Sequence, residues 1–165
     1  MTYLITFACY GCRLHGDELG SVDPAHNVPG TPTVERNSDR TDSESERMDQ
    51  SPYSMDHPRR EAVLKALQEV CAHREWNLLA AHVRTNHVHT VVGTEVIPER
   101  IMADFKTYAS RNLNRLGLDG PTRKRWARHG STRWLWKPHQ VSAAMRYVVG
   151  EQGEPMSVFE STEMH

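Results

Sequence analysis

Two histidines one residue apart, His87 and His89 with Val88 between them, are the side chains best placed to do chemistry. On a β-strand residues i and i+2 point to the same face, so both imidazoles could hold one divalent ion while Val88 anchors the strand in the core. A third protein ligand, water and a phosphate oxygen would complete the shell of Mg²⁺ or Mn²⁺. The pair alone is a weak signal, and two ordinary strand histidines would read the same way. Far downstream, Tyr147 lies in a segment of helical period. Val141, Met145 and Val148 form the apolar stripe there, with Ala144 and Val149 at its edges, and Tyr147 falls about 120° from its centre. Gln140 and Glu151 share the tyrosine's face, whereas Gln152 would project toward the stripe if the helix continued past Gly150. Either Glu151 or Gln152 could therefore supply the missing ligand. A divalent ion beside a tyrosine hydroxyl is equipment for breaking a phosphodiester bond through a covalent protein–DNA intermediate. The rival tyrosine, Tyr108, recurs with Ile101 and Phe105 at helical spacing and reads as packing.

The elements that must position these groups follow from periodicity and punctuation. Residues 2–10 (TYLITFACY) read as a strand, rich in β-branched and aromatic residues. A helix is expected from Pro58 to about Arg74, with Val63, Leu64, Leu67, Val70 and Cys71 as its stripe. Residues 76–83 and 87–92 form a hairpin around the short turn Arg84-Thr85-Asn86. A second helix spans about 98–116 and is stopped by Gly117. A short strand over 133–137 and a third helix over 138–149 complete the order β-α-β-β-α-β-α. That order predicts an α+β fold: a ferredoxin-like antiparallel sheet with helices on one face and an added C-terminal helix carrying the tyrosine.

At 165 residues the chain is most simply one domain, spanning 1–165. Its net charge of −1 conceals an asymmetry. Residues 16–57 carry ten acidic and three basic side chains, and residues 58–150 carry sixteen basic and seven acidic. An acidic loop insert at about 16–57, with no sustained apolar period, thus masks a basic body suited to phosphate. Within that body, Arg123, Lys124, Arg125, Trp126 and Arg128, with Arg133 and Lys137, set cations beside aromatic rings and are the candidate DNA contacts. Trp134 and Trp136 share a strand face, and at least one of them is expected in the core. Cys9 and Cys12 match C-x-x-C without a second pair nearby, and Cys71 falls in a helical apolar stripe, so the three cysteines predict neither a zinc site nor a disulfide framework. The N-terminus lacks the pattern of a signal peptide, and no stretch has the roughly 20 apolar residues of a membrane span. A cytoplasmic protein without a membrane partner is expected.

These motifs, in this order, resemble those of the single-tyrosine HUH transposases, in particular the REP-associated tyrosine transposases. The resemblance covers most of the chain outside the acidic insert. It rests on Tyr10-Gly11 and Leu14-His15-Gly16, on Asn86-His87-Val88-His89, and on Phe105-Lys106, Ser110-Arg111 and Leu113-Asn114. Arg133-Trp134-Leu135-Trp136 and Tyr147-Val148-Val149 complete it. It implies that His87 and His89 bind the metal and that Tyr147 is the nucleophile, with single-stranded or hairpin DNA as substrate and a 5′-phosphotyrosine intermediate. Related transposases place a glutamine four residues after the tyrosine as a further ligand; here that position is Glu151, and the glutamine follows at 152. The oligomeric state is open, a homodimer included.

Three functions compete on these grounds. The first is nicking and rejoining of DNA, as in transposition of hairpin-flanked elements. The second is a hairpin-binding regulator of the same fold that does not cut. The third is an unrelated metallohydrolase using His87 and His89, whose turnover would not depend on Tyr147.

Overall fold

The computed structural model describes residues 1–12 and 49–162. The Leu14-His15-Gly16 motif and most of the acidic insert lie outside the described residues. The elements in chain order are β1 (Thr2–Cys9), α1 (His57–Arg74), β2 (Asn77–Val83), β3 (His87–Gly93), α2 (Pro98–Arg115), β4 (Trp126–Leu135), α3 (Pro138–Gly150) and β5 (Ser157–Glu160). All paired strands run antiparallel, in the order β4-β1-β3-β2-β5. The first four strands have the expected ferredoxin-like arrangement. The edge strand β5, pairing with β2, was absent from the sequence expectation.

The helices form where their end signals stand. The Asp56 carboxylate accepts the Arg59 N–H at 3.2 Å, and Pro58 occupies the first turn of α1, where a missing N–H costs nothing. Glu75, at φ 61°, ends that helix in the left-handed region. Val63, Leu67, Val70 and Cys71 of α1 are buried with Ile101, Phe105, Ala109 and Leu113 of α2 against Tyr3, Ile5 and Phe7 of β1. The opposite face of the sheet carries a smaller cluster, in which Leu4, Leu79, Ala80, Val91 and Leu135 meet Ala144 and Val148 of α3. Among the described residues two helices thus cover one face, and the tyrosine helix alone covers the other.

Two boundaries depart from the sequence expectation. β4 begins at Trp126, not Arg133, so most of the basic segment belongs to a strand. Polar and basic residues suit this strand because it lies at the sheet's edge and is solvated along much of its length. Gly130 permits its close approach: a Cβ there would stand 2.5 Å from the Thr6 carbonyl oxygen and 2.7 Å from Met102 Cε. The end of the presumed loop insert is also packed. Tyr53 and Met55 are buried, and their N–H groups donate to the Tyr10 and Thr85 carbonyls at 2.8 and 2.7 Å. Two isolated apolar residues leave no periodic trace in sequence.

Candidate active site

Strand pleating brings the histidines onto the face under α3. In register, His82 of β2 lies beside His89 of β3, which lies beside Thr6 of β1, which lies beside Ser131 of β4. One row of polar side chains therefore crosses the sheet beneath the tyrosine helix. The His87 and His89 rings are 4.7 Å apart between centroids and nearly perpendicular, and the His89 ring meets Tyr147 at 5.7 Å, edge to face. The pair and the tyrosine, sixty residues apart in sequence, form one site.

Hydrogen bonds orient both imidazoles. His87 Nδ1 lies 2.7 Å from Asn86 Oδ1, which can only accept, so Nδ1 carries the proton and Nε2 the lone pair. His89 Nδ1 shares a 2.9 Å hydrogen bond with Thr6 Oγ1, and its buried Nε2 has no hydrogen-bond partner among the described residues. Burial is the main cause that depresses both pKa values, to about 4 for His87 and about 3 for His89, with Arg84 and the neighbouring histidines adding to it. Both rings are then neutral above those values, the state in which imidazole ligates a metal. Gln152, near His89, works weakly the other way.

That contact bears on the two candidates for a third ligand. α3 ends at Gly150, and the Glu151 N–H donates to the Tyr147 carbonyl at 3.3 Å. Glu151 is exposed, while Gln152 is half-buried, and its Nε2 donates to the same carbonyl at 3.1 Å. The helix stops at Gly150 with Glu151 exposed, and of the two residues Gln152 is the one that acts on His89. The donor set fits a divalent cation: an unpartnered buried nitrogen, a second imidazole with its lone pair on Nε2, and an amide oxygen left over after the amide nitrogen has bonded the helix end. Among the described residues no group of three His, Cys, Asp or Glu side chains is gathered for a metal.

Tyr147 also lines a groove of about 460 Å³ between α3 and strands β1 and β4, together with Thr6, Ser131, Arg133, His139 and Gln140. Gln140 accepts the Trp136 and Lys137 N–H groups at 2.7 and 2.9 Å, fixing the entry of the tyrosine helix. The expected contacts divide sharply. Arg128, Arg133 and Lys137 are exposed. Arg123 donates to Gln50 and lies over the Tyr53 ring, and Lys124 pairs with Asp49 at 2.8 Å. Arg125 is not a surface cation: it is 3% exposed and bonded to Asp119 and Asn114. Trp126 is likewise structural, its Nε1–H donating to Lys106 O and Ser110 Oγ and its ring set edge-on to Phe7 and Tyr53. Trp126 opens β4 with its side chain on the α2 side, and Arg125, just before the strand, is held there by Ser110 and Asn114 of α2. Trp134 and Trp136 reverse the core expectation, being 40% and 67% exposed and stacked on each other at 5.1 Å and 14°. Tyr108 is partly buried against the α1–α2 core, as packing requires.

Sequence reading missed His82. It is fully buried, its Nδ1 lies 2.9 Å from the Val148 carbonyl, and its Nε2 accepts the Met156 N–H at 2.9 Å. Its only sequence signal was a histidine within an otherwise apolar strand. No helix among the described residues is long and apolar enough to cross a membrane.

The family described as "Transposase IS200 like" matches residues 52–142, which include the histidine pair and end five residues before Tyr147. Among solved structures, a REP-associated tyrosine transposase bound to a REP hairpin is similar at 9% identity and a TM-score of 0.47, over 90% of this chain and 64% of the other. This chain therefore spans less than two thirds of that protein. A second similar structure is described as a putative transposase from Deinococcus radiodurans, at 14% identity and a TM-score of 0.46, over 90% of this chain and 88% of the other. No curated protein matches.

Proposed function

This chain belongs to the IS200-like transposase family, and from that premise we propose that it nicks and rejoins single-stranded DNA next to hairpins through a 5′-phosphotyrosine on Tyr147. The observation that carries this reading is the meeting of Tyr147 with His89, whose buried Nε2 has no hydrogen-bond partner among the described residues. His87, His89 and Gln152 would hold Mg²⁺ or Mn²⁺. When bound, the ion would polarise the scissile phosphate and offset the charge developing on its oxygens.

The residues of the chain do the rest. The Tyr147 hydroxyl oxygen attacks phosphorus and forms the phosphotyrosine bond, while the bond to the 3′ oxygen breaks. The phenol gives up its proton as it attacks, and the departing oxygen takes one to become a 3′-hydroxyl. Attack by a 3′-hydroxyl on the phosphotyrosine reverses these steps and rejoins the strand. Arg133 and His139 line the groove that would receive the phosphate chain. Arg128 and Lys137 extend the cationic surface, with Arg123 and Lys124 near the end of β1. The exposed Trp134–Trp136 stack offers an open aromatic face for an unpaired base.

The test is incubation with Mn²⁺ and a library of labelled hairpin DNAs carrying single-stranded flanks, followed by a denaturing gel. A covalent adduct that disappears in Tyr147→Phe is the expected result. Hairpin binding without any adduct would instead favour the non-cutting regulator.

A further inference from the structure

The nicking reading leaves one buried group without a task. His82 projects from β2 onto the α3 face, in register with His89, yet it cannot offer a nitrogen to a ligand. Its Nε2 accepts the peptide N–H of Met156, a group that can only donate, so the ring proton sits on Nδ1 and is donated to the Val148 carbonyl. Both nitrogens are thus committed to backbone. The two backbone groups lie on either side of the site: Val148 follows the tyrosine in α3, and Met156 ends the connection that carries Gln152.

Other contacts hold the same connection. Arg84, two residues beyond His82, donates to the Glu154 carbonyl at 2.9 Å. Gly153 turns the chain between Gln152 and Glu154 at φ 83°, a conformation that favours glycine. Beyond it, β5 docks on β2 with Ser157 opposite Val83 and Val158 opposite His82. Among the described residues, His82 is the single side chain of the sheet hydrogen-bonded to both the helix end and the connection.

We propose that His82 is a positioning residue that locks the nucleophile's helix and the Gln152 segment to the histidine-bearing sheet. One ring sets the distance between the attacking oxygen and the metal-binding pair. This inference rests on the nicking reading for the tyrosine arm alone, because the Gln152 arm is expressed in metal affinity. Positioning groups behind metal ligands are worth about 10–100-fold in affinity or activity.

The two arms can be cut separately. The amide of His82→Asn reaches the position of Nδ1 and can still donate to Val148, whereas that of His82→Gln reaches the position of Nε2 and can still accept from Met156. Mn²⁺ affinity would be measured on the full chain by electron paramagnetic resonance, and adduct formation at saturating Mn²⁺ beside it. His82→Gln is expected to keep Mn²⁺ affinity within about threefold of the parent but to slow adduct formation roughly tenfold. His82→Asn should weaken Mn²⁺ roughly tenfold or more and hold the saturated rate closer to the parent, each arm following its bond. Equal losses in both variants, or lower melting temperatures with unchanged Mn²⁺ affinity and saturated rate, would overturn the proposal. If the parent binds Mn²⁺ but forms no adduct, the nicking reading fails, while the affinity difference between the variants still decides the Gln152 arm.

Discussion

The two faces of the sheet are built to different ends. On the α1–α2 face, β1 alternates Tyr3, Ile5 and Phe7 into an apolar layer. Beside it Asp119 takes hydrogen bonds from Tyr53, Arg59 and Arg125. On the α3 face, the described residues place Thr6, His82, His87 and His89 under one helix, from which Ala144 and Val148 are buried. One face spends its burial on stability; the other holds a row of imidazoles dry, with His89 Nε2 open to a ligand. The difference teaches where change should be felt as folding and where as chemistry.

The largest effect should come from Tyr147→Phe, which removes one half-buried hydroxyl. Adduct formation is expected to fall below detection with the melting temperature almost unchanged, since no described side chain is hydrogen-bonded to that oxygen. Phe105→Ala should do the reverse. That ring is fully buried and meets Trp76 edge-on, so its loss should cost about 3–5 kcal/mol in denaturant titration while activity per folded molecule persists. A large loss of per-molecule activity in Phe105→Ala would erase the contrast.

Next in size, Gln152→Ala should raise the Mn²⁺ needed for half-maximal adduct formation by about 10–100-fold, and Glu151→Ala should leave it unchanged, in a simple metal titration. Trp136→Ala should weaken binding of hairpins with single-stranded flanks by about 1–3 kcal/mol in fluorescence anisotropy, and should leave flankless hairpins alone. Equal weakening of both would place the tryptophans outside the path of unpaired bases.

Acid should separate the faces as well. His87 and His89 titrate lower folded, at about 4 and 3, than the ordinary 6.5 expected unfolded. The unfolded chain therefore binds more protons in between, and stability present above 6.5 is lost as pH falls toward those values. Burial alone would raise the Asp119 carboxyl, but its hydrogen bonds to Tyr53, Arg59 and Arg125 outweigh burial and hold it below the usual value. Its contribution, present above the ordinary carboxylate value of 3.8, is lost only as pH falls through its folded pKa. Thermal melts from pH 7 downward should show a first decline that His89→Asn reduces and a second, below about 4, that Asp119→Asn reduces. A first decline indifferent to His89→Asn would contradict the assignment.

Legibility in the sequence followed the same division. The helices, the hairpin and the histidine pair were readable because period 3.6, period 2 and end signals act locally, as at Pro58 and Gly117. What escaped was set by distance along the chain. β5 is four residues long and forms because β2 offers an edge. His82 gains its meaning from Val148 and Met156, 66 and 74 residues away. The choice between Glu151 and Gln152 depended on where α3 stopped. Arg125 looked like a phosphate contact because its neighbours are basic, but Asp119 and Asn114 claim it. Trp134 and Trp136 looked apolar enough for the core, yet they are exposed at and just beyond the end of the edge strand.

The most direct measurement is the site of covalent attachment. Protein reacted with Mn²⁺ and hairpin DNA would be treated with nuclease and protease, and the peptide bearing the nucleotide remnant identified by mass spectrometry. The account predicts a phosphodiester on Tyr147, with none on Tyr108. A remnant on any other residue, or DNA cleaved without a protein-bound product, would contradict it.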